Sequence, residues 1–140
     1  MDIKILIVDD EKDITRSLER YLRLEGYDVY TTNDSLKAMD IIDENNIKVV
    51  ISDIVMPGLN GVDLLRNIKE SNGIIQVIMI TGYVTISNLI SCLRYGASDC
   101  IFKPFDNLDV ISRAVKEEVK KLEKWNTILK KNLDFKEGIL

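Results

Sequence analysis

Short aliphatic runs alternate along the chain with longer stretches in which apolar positions recur every three or four residues. Ile3–Val8 (IKILIV) reads as a buried strand ended by Asp9 and Asp10. Ile14, Leu18 and Leu22 carry a helical period over residues 12–25, with Gly26 as the C-terminal stop. Tyr27–Thr32 is rich in β-branched and aromatic residues and reads as a second strand. Asp34 or Ser35 can cap a helix carrying Ala38, Ile41 and Ile42. Lys48–Ser52 reads as a third strand, followed directly by Asp53.

Past Asp53, a turn with Pro57, Gly58, Asn60 and Gly61 opens a helix bearing Val62, Leu65 and Ile68. Gln76–Ile80 is the fourth strand, leading into Thr81 and Gly82. Ile86, Leu89, Ile90 and Leu93 lie on one side of the next helix, which Gly96 stops. Cys100–Phe102 is a short fifth strand before Lys103 and Pro104, and a last helix starts near Asn107.

The pattern is (βα)5. Strands without simple alternation, separated by helices, imply a parallel sheet covered on both faces. Right-handed crossovers make such a sheet doubly wound, an α/β fold whose site lies at the carboxyl ends of the strands. Asp9, Asp10, Asp53, Thr81 and Lys103 all fall at those ends.

The length of 140 residues fits one domain with one good core. A net charge of −4 gives no general attraction for nucleic acid, so direct DNA binding by this segment is not expected. No aliphatic run approaches the roughly 18 residues that a membrane span needs. Cys92 and Cys100 are eight apart with no histidine in the chain, which argues against a zinc site and for reduced thiols in a cytoplasm. The absence of histidine also excludes His-based acid–base or nucleophilic chemistry within this chain.

Neighbouring strands 1 and 3 of a doubly wound sheet would bring Asp9, Asp10 and Asp53 together. Two such charges about 5 Å apart repel by roughly 3 kcal/mol at an effective dielectric of about 20, so the cluster calls for a cation or a raised pKa. Oxygen ligands that leave room for water suit Mg2+. Lys103 adds a mobile positive charge and Thr81 a hydroxyl donor. A carboxylate nucleophile, a metal, a cation and a donor are what an aspartyl phosphate requires. Taken singly, each residue has a plainer role: acids at a helix N-terminus, a turn aspartate, a capping threonine, a surface lysine. Four such coincidences at one end of consecutive strands are hard to sustain together.

With these residues in place, the sequence resembles the response-regulator receiver domain of bacterial two-component systems. Residues 53–61 fit the family's D-x-x-M-P-x-x-x-G pattern. Asp9-Asp10 fits its acidic pair, and Thr81-Gly82 its hydroxyl position. Gly96-Ala97-Ser98-Asp99 with Lys103-Pro104-Phe105 fits its G-A-x-D…K-P-F ending. The resemblance implies a flavodoxin-like five-stranded sheet of order 2-1-3-4-5, the order of chemotaxis relatives. It implies Asp53 as phosphoacceptor and Thr81 and Lys103 as holders of phosphoryl oxygens. Mg2+ would be bound by Asp10 and Asp53 carboxylates and the Val55 backbone carbonyl, with Asp9 acting partly through water. A cis Lys103–Pro104 bond is also expected.

The implied receiver occupies residues 1–121, with 122–140 as a helical extension or linker. A sensor histidine kinase would be the phosphoryl donor. The chain would act as a switch that catalyses only its own phosphorylation and dephosphorylation. The surface expected to respond includes the fourth helix, fifth strand and fifth helix, through which the chain could control an effector or form a homodimer.

Three positions depart from the family pattern. Cys100 stands where the family usually has Tyr or Phe, and a thiol is too small to do the job of a ring. Phe102 should face the opposite side of its strand. Val55 and Tyr83 occupy the positions that flank the path of attacking water, and their bulk is expected to lengthen the phosphorylated lifetime. In the last helix Leu108, Ile111, Val115, Val119, Leu122, Trp125, Leu129 and Leu133 continue a stripe. It should cover the sheet as far as about Val115. Beyond Leu122 an exposed stripe would ask for a partner: a coiled coil with a second copy or a linker into a further domain.

Other functions for this fold fit less well. A phosphorylation-independent pseudo-receiver is supported by Cys100 alone. An aspartate-nucleophile phosphatase would carry D-x-D after strand 1, where this chain has Asp9-Asp10-Glu11. A flavin protein would want a Ser/Thr/Gly-rich loop there, not an acidic one.

Overall fold

The computed structural model describes residues 2–83 and 85–139, of which 134–139 are described as helical backbone. Met1 and Leu140, the outer ends of the two segments expected above, lie outside the described residues.

Five strands, β1 (Lys4–Val8), β2 (Asp28–Thr32), β3 (Val49–Asp53), β4 (Gln76–Thr81) and β5 (Asp99–Phe102), form one parallel sheet of order β2-β1-β3-β4-β5. Five helices connect and follow them: α1 (Lys12–Leu24), α2 (Ala38–Asn45), α3 (Gly61–Ser71), α4 (Ile86–Arg94) and α5 (Asp109–Ile139). A single 3-10 turn, Ser35–Lys37, precedes α2, and Asp34 caps it by accepting from the Leu36 N–H. The expected flavodoxin-like fold, its strand order and the long last helix are all present.

Alternation along each strand sends side chains to two separate cores. Ile5, Ile7, Val49, Ile51, Ile78 and Ile80 pack under α1 and α5, meeting Leu18, Leu22, Ile111, Val115 and Leu122. Leu6, Val8, Val50, Val77 and Met79 pack under α2, α3 and α4, meeting Ile42, Leu64, Leu65, Ile68 and Cys92. Because both faces are covered, both sets of alternate positions are apolar, which is why the strands read as unbroken runs.

Two helices depart from the sequence expectation. In α4 the stripe of Ile86, Leu89, Ile90 and Leu93 does share a side, but that side points outward: Ile86 is 77% and Leu93 79% exposed. Cys92 is the α4 residue that enters the core. In α5 the domain contact runs further than Val115, because Leu122 is only 2% exposed and belongs to the α1/α5 core. Trp125, Ile128, Leu129 and Leu133 beyond it are exposed. Cys92 is buried and Cys100 half-buried, and both are free thiols.

Candidate functional site

Strand register places the site residues. Val8 lies opposite Ser52, so Asp9 and Asp53 follow at the same level on adjacent strands. Asp53 pairs with Ile80, which puts Thr81 one step beyond, and Thr81 pairs with Phe102, which puts Lys103 one step beyond again. The Lys103 N–H donates to the Thr81 carbonyl at 2.7 Å. The Lys103–Pro104 peptide is cis, as expected. All four residues therefore gather at the carboxyl edge of the sheet.

Carboxylate oxygens of Asp9, Asp10 and Asp53 lie within 4.8 Å of one another. Asp9 and Asp53 are buried and Asp10 is exposed. The Lys103 ammonium sits among the acids, 2.7 Å from Asp9 Oδ2, 3.0 Å from Asp53 Oδ2 and 3.1 Å from Glu11 Oε1. Burial pushes the Asp9 carboxyl above the usual carboxylate range, while hydrogen bonding to Lys103 and the Glu11 N–H pull against it. Burial alone would lower Lys103. Its bonds to Asp9 and Asp53, and their charges, outweigh that and hold the ammonium above the ordinary lysine value.

The acids suit a divalent cation. The ligands on offer are hard oxygens, and Asp10 faces solvent, which leaves room for water. Asp9 Oδ2 is buried with the Lys103 ammonium 2.7 Å away, so its charge is already partly neutralised. A divalent cation would add ligation that one ammonium, shared with Asp53 and Glu11, does not supply.

The other predicted residues are placed as follows. The Val55 N–H donates to Asp53 Oδ1 at 3.4 Å, so Val55 lies beside the carboxylate. The Thr81 hydroxyl donates to the Tyr83 carbonyl at 2.6 Å and accepts from the Tyr83 N–H at 3.2 Å. It is thus engaged with its own turn. Val55 and Tyr83 expose their side chains, and Phe102 is exposed while Cys100 packs toward the α2–α4 core.

Several supporting residues carried no sequence signal for this role. Asn33 Nδ2 donates to the Asp9 carbonyl at 2.8 Å and to Thr15 Oγ1 at 3.1 Å, tying down the first acidic loop. Ser35, read above as a helix cap, donates to the Pro57 carbonyl and accepts from the Leu59 N–H, bracing the loop that follows Asp53. Glu11 had the look of an acid at a helix start, but its side chain is on Lys103.

A doubly wound sheet whose carboxyl edge gathers three acids and a lysine is the arrangement expected of a receiver domain. The match to known proteins agrees: the chain fits the response regulator receiver domain family over residues 5–116 and belongs to it. It is 36% identical to the regulatory protein VanR of Enterococcus faecium over 132 residues, 94% of this chain and 56% of that protein. It is 37% identical to a CpxR homolog, a transcriptional regulatory protein of Haemophilus influenzae, over 110 residues, 79% of this chain and 48% of that protein. The chain thus spans about half the length of these curated relatives.

Among solved structures, a CheY-like receiver from Methanospirillum hungatei superposes with a TM-score of 0.83 at 30% identity, covering 89% of this chain and 98% of that one. A receiver from Clostridium thermocellum superposes with a TM-score of 0.82 at 33% identity, covering 88% and 98%. The chain is a receiver domain of a two-component response regulator.

Proposed function

We propose that this receiver takes a phosphoryl group on Asp53 from the phosphohistidine of a sensor histidine kinase, in a Mg2+-dependent step that alters the surface of α4, β5 and α5. The observation that carries the reading is the convergence of Asp9, Asp10 and Asp53 around the Lys103 ammonium at one sheet edge. A carboxylate oxygen of Asp53 attacks phosphorus as the bond to the donor breaks, and the donor leaves with that electron pair. Lys103, already on Asp53, neutralises phosphoryl oxygens, and Thr81 donates to another once its hydroxyl leaves the Tyr83 carbonyl. Asp10, Asp53 and the Val55 carbonyl would hold the cation, with Asp9 acting partly through water, and it would supply charge neutralisation of the transferred group.

Residues 1–121 form the receiver in this reading, and residues 122–140 form the extension or linker toward an effector or a second copy. No helix among the described residues is long and apolar enough to cross a membrane. The acidic net charge of −4 favours neither nucleic acid nor anionic lipid as a direct partner of this segment. A cytoplasmic setting fits the two free thiols.

The test is intact mass after acetyl phosphate with Mg2+. The wild type should gain one phosphoryl group, and Asp53→Ala or chelation should abolish the gain. A folded wild type that gains nothing and binds no beryllofluoride would favour the pseudo-receiver reading that Cys100 suggests. Val55 and Tyr83 slow hydrolysis by crowding the water path. Val55→Asn, which can orient a water, and Tyr83→Ala should raise the dephosphorylation rate roughly ten-fold. An unchanged rate in both removes that role.

A further inference from the structure

Of the three carboxylates on Lys103, one stands outside the cation-competent trio. Glu11 Oε1 accepts from Lys103 Nζ at 3.1 Å, while the converging oxygens belong to Asp9, Asp10 and Asp53. The partners differ in setting: Asp9 and Asp53 are buried, whereas the Glu11 side chain is 60% exposed at the mouth of the site. Glu11 occupies the N-cap position of α1, yet its side chain makes no capping hydrogen bond. Its backbone is nonetheless firmly placed. The N–H donates to Asp9 Oδ1 at 2.9 Å, and the carbonyl accepts from the Ile14 and Thr15 N–H groups. A rigidly seated residue thus sends its carboxylate to the lysine in place of the helix end.

A lysine ammonium has three N–H donors and no acceptor, so three oxygens are as many direct partners as it can serve. A divalent cation entering the trio draws on the charges of Asp9 and Asp53, the same two carboxylates that hold Lys103. Like charges at such range repel, so the ammonium must yield these oxygens as the cation arrives. It must also stay close enough to meet a phosphoryl oxygen afterwards. Glu11 is the partner that the cation does not claim.

We infer that Glu11 is a positioning residue that receives the Lys103 ammonium when Mg2+ loads, easing cation entry and keeping the lysine at the mouth of the site. The inference rests on the Mg2+-dependent phosphoacceptor reading above. The competing explanation is that Glu11 only adds negative potential, which would attract Mg2+ whether or not Lys103 is present.

Calorimetric titration of the full chain with Mg2+ separates the two, using the wild type, Glu11→Gln, Glu11→Asp, Lys103→Met and the Glu11→Gln/Lys103→Met double variant, each checked for folding by circular dichroism. Glu11→Gln should weaken Mg2+ binding about five-fold, a coupling of ordinary size for groups in contact. Glu11→Asp, which keeps the charge but shortens the reach, should resemble Glu11→Gln. Lys103→Met should tighten binding by removing the competing cation, and adding Glu11→Gln to it should change nothing further. An equal loss from Glu11→Gln in both backgrounds, or a Glu11→Asp indistinguishable from wild type, overturns the inference and leaves the phosphoacceptor reading intact. A wild type that binds no Mg2+ overturns both.

Discussion

At Gly61 a methyl group would land on the backbone that carries Asp53. A Cβ there would sit 2.0 Å from the Asp53 carbonyl oxygen and 2.8 Å from Ile54 Cα, and neither can move aside as a flexible side chain could. The Gly61 N–H donates to the Ile54 carbonyl at 2.8 Å, which is what draws the start of α3 so close. Gly61→Ala should therefore cost about 1–3 kcal/mol, as overpacked sites do, measurable by urea unfolding. It should also slow phosphorylation of the folded fraction by shifting Asp53, whereas a loss of stability alone would leave that rate intact. The sequence marked Gly61 only as part of a motif. The approach that demands it depends on where α3 meets β3, and no local pattern encodes that distance. Asn33 and Ser35 are similar cases, since their partners Asp9, Pro57 and Leu59 lie 22 to 24 residues away along the chain.

At the scale of elements, apolar period identified the helices, and short aliphatic or β-branched runs the strands, because a helix buries one stripe while these strands bury both faces. It did not say which side of α4 faces the protein. The Ile86, Ile90 and Leu93 stripe is coherent and yet outward, since a helix that rests on its neighbours through Cys92 needs no broad apolar face. In α5 the periodic stripe continues without a break from Leu108 to Leu133. Packing carries its domain contact past Val115 as far as Leu122, and the exposure expected beyond Leu122 is present. Leu122→Ala should destabilise the domain by about 2–5 kcal/mol, the range for truncating a buried leucine. Trp125→Ala, at a residue 51% exposed, should cost less than about 1 kcal/mol. Equal losses in thermal or denaturant unfolding would mean that the helix beyond Leu122 supports the domain directly.

For the molecule as a whole, the two cores fix the sheet while its carboxyl edge holds like charges together. Carboxylates within 4.8 Å of one another repel by about 3–4 kcal/mol per pair at an effective dielectric near 20, and Lys103 offsets only part of this. Mg2+ should therefore stabilise the fold by linkage. At a hundred times its Kd the gain is about 2.7 kcal/mol, or a rise in Tm on the order of 10 °C for a domain of this size. Differential scanning calorimetry with matched ionic strength checks this. A rise reproduced by NaCl alone would be screening and not a site. The sequence by itself determined the fold class, the order of elements and which side chains reach the carboxyl edge of the sheet, because periodicity follows from local geometry and the acids, hydroxyl and lysine each end a strand. Only the tertiary structure decided that Lys103 bridges three carboxylates, that Thr81 spends its hydroxyl on Tyr83, that α4 turns its apolar side outward and that the packed part of α5 runs past Val115. Each of these depends on distances between segments remote along the chain or on which way a side chain turns, and neither is set until the sheet and helices have packed.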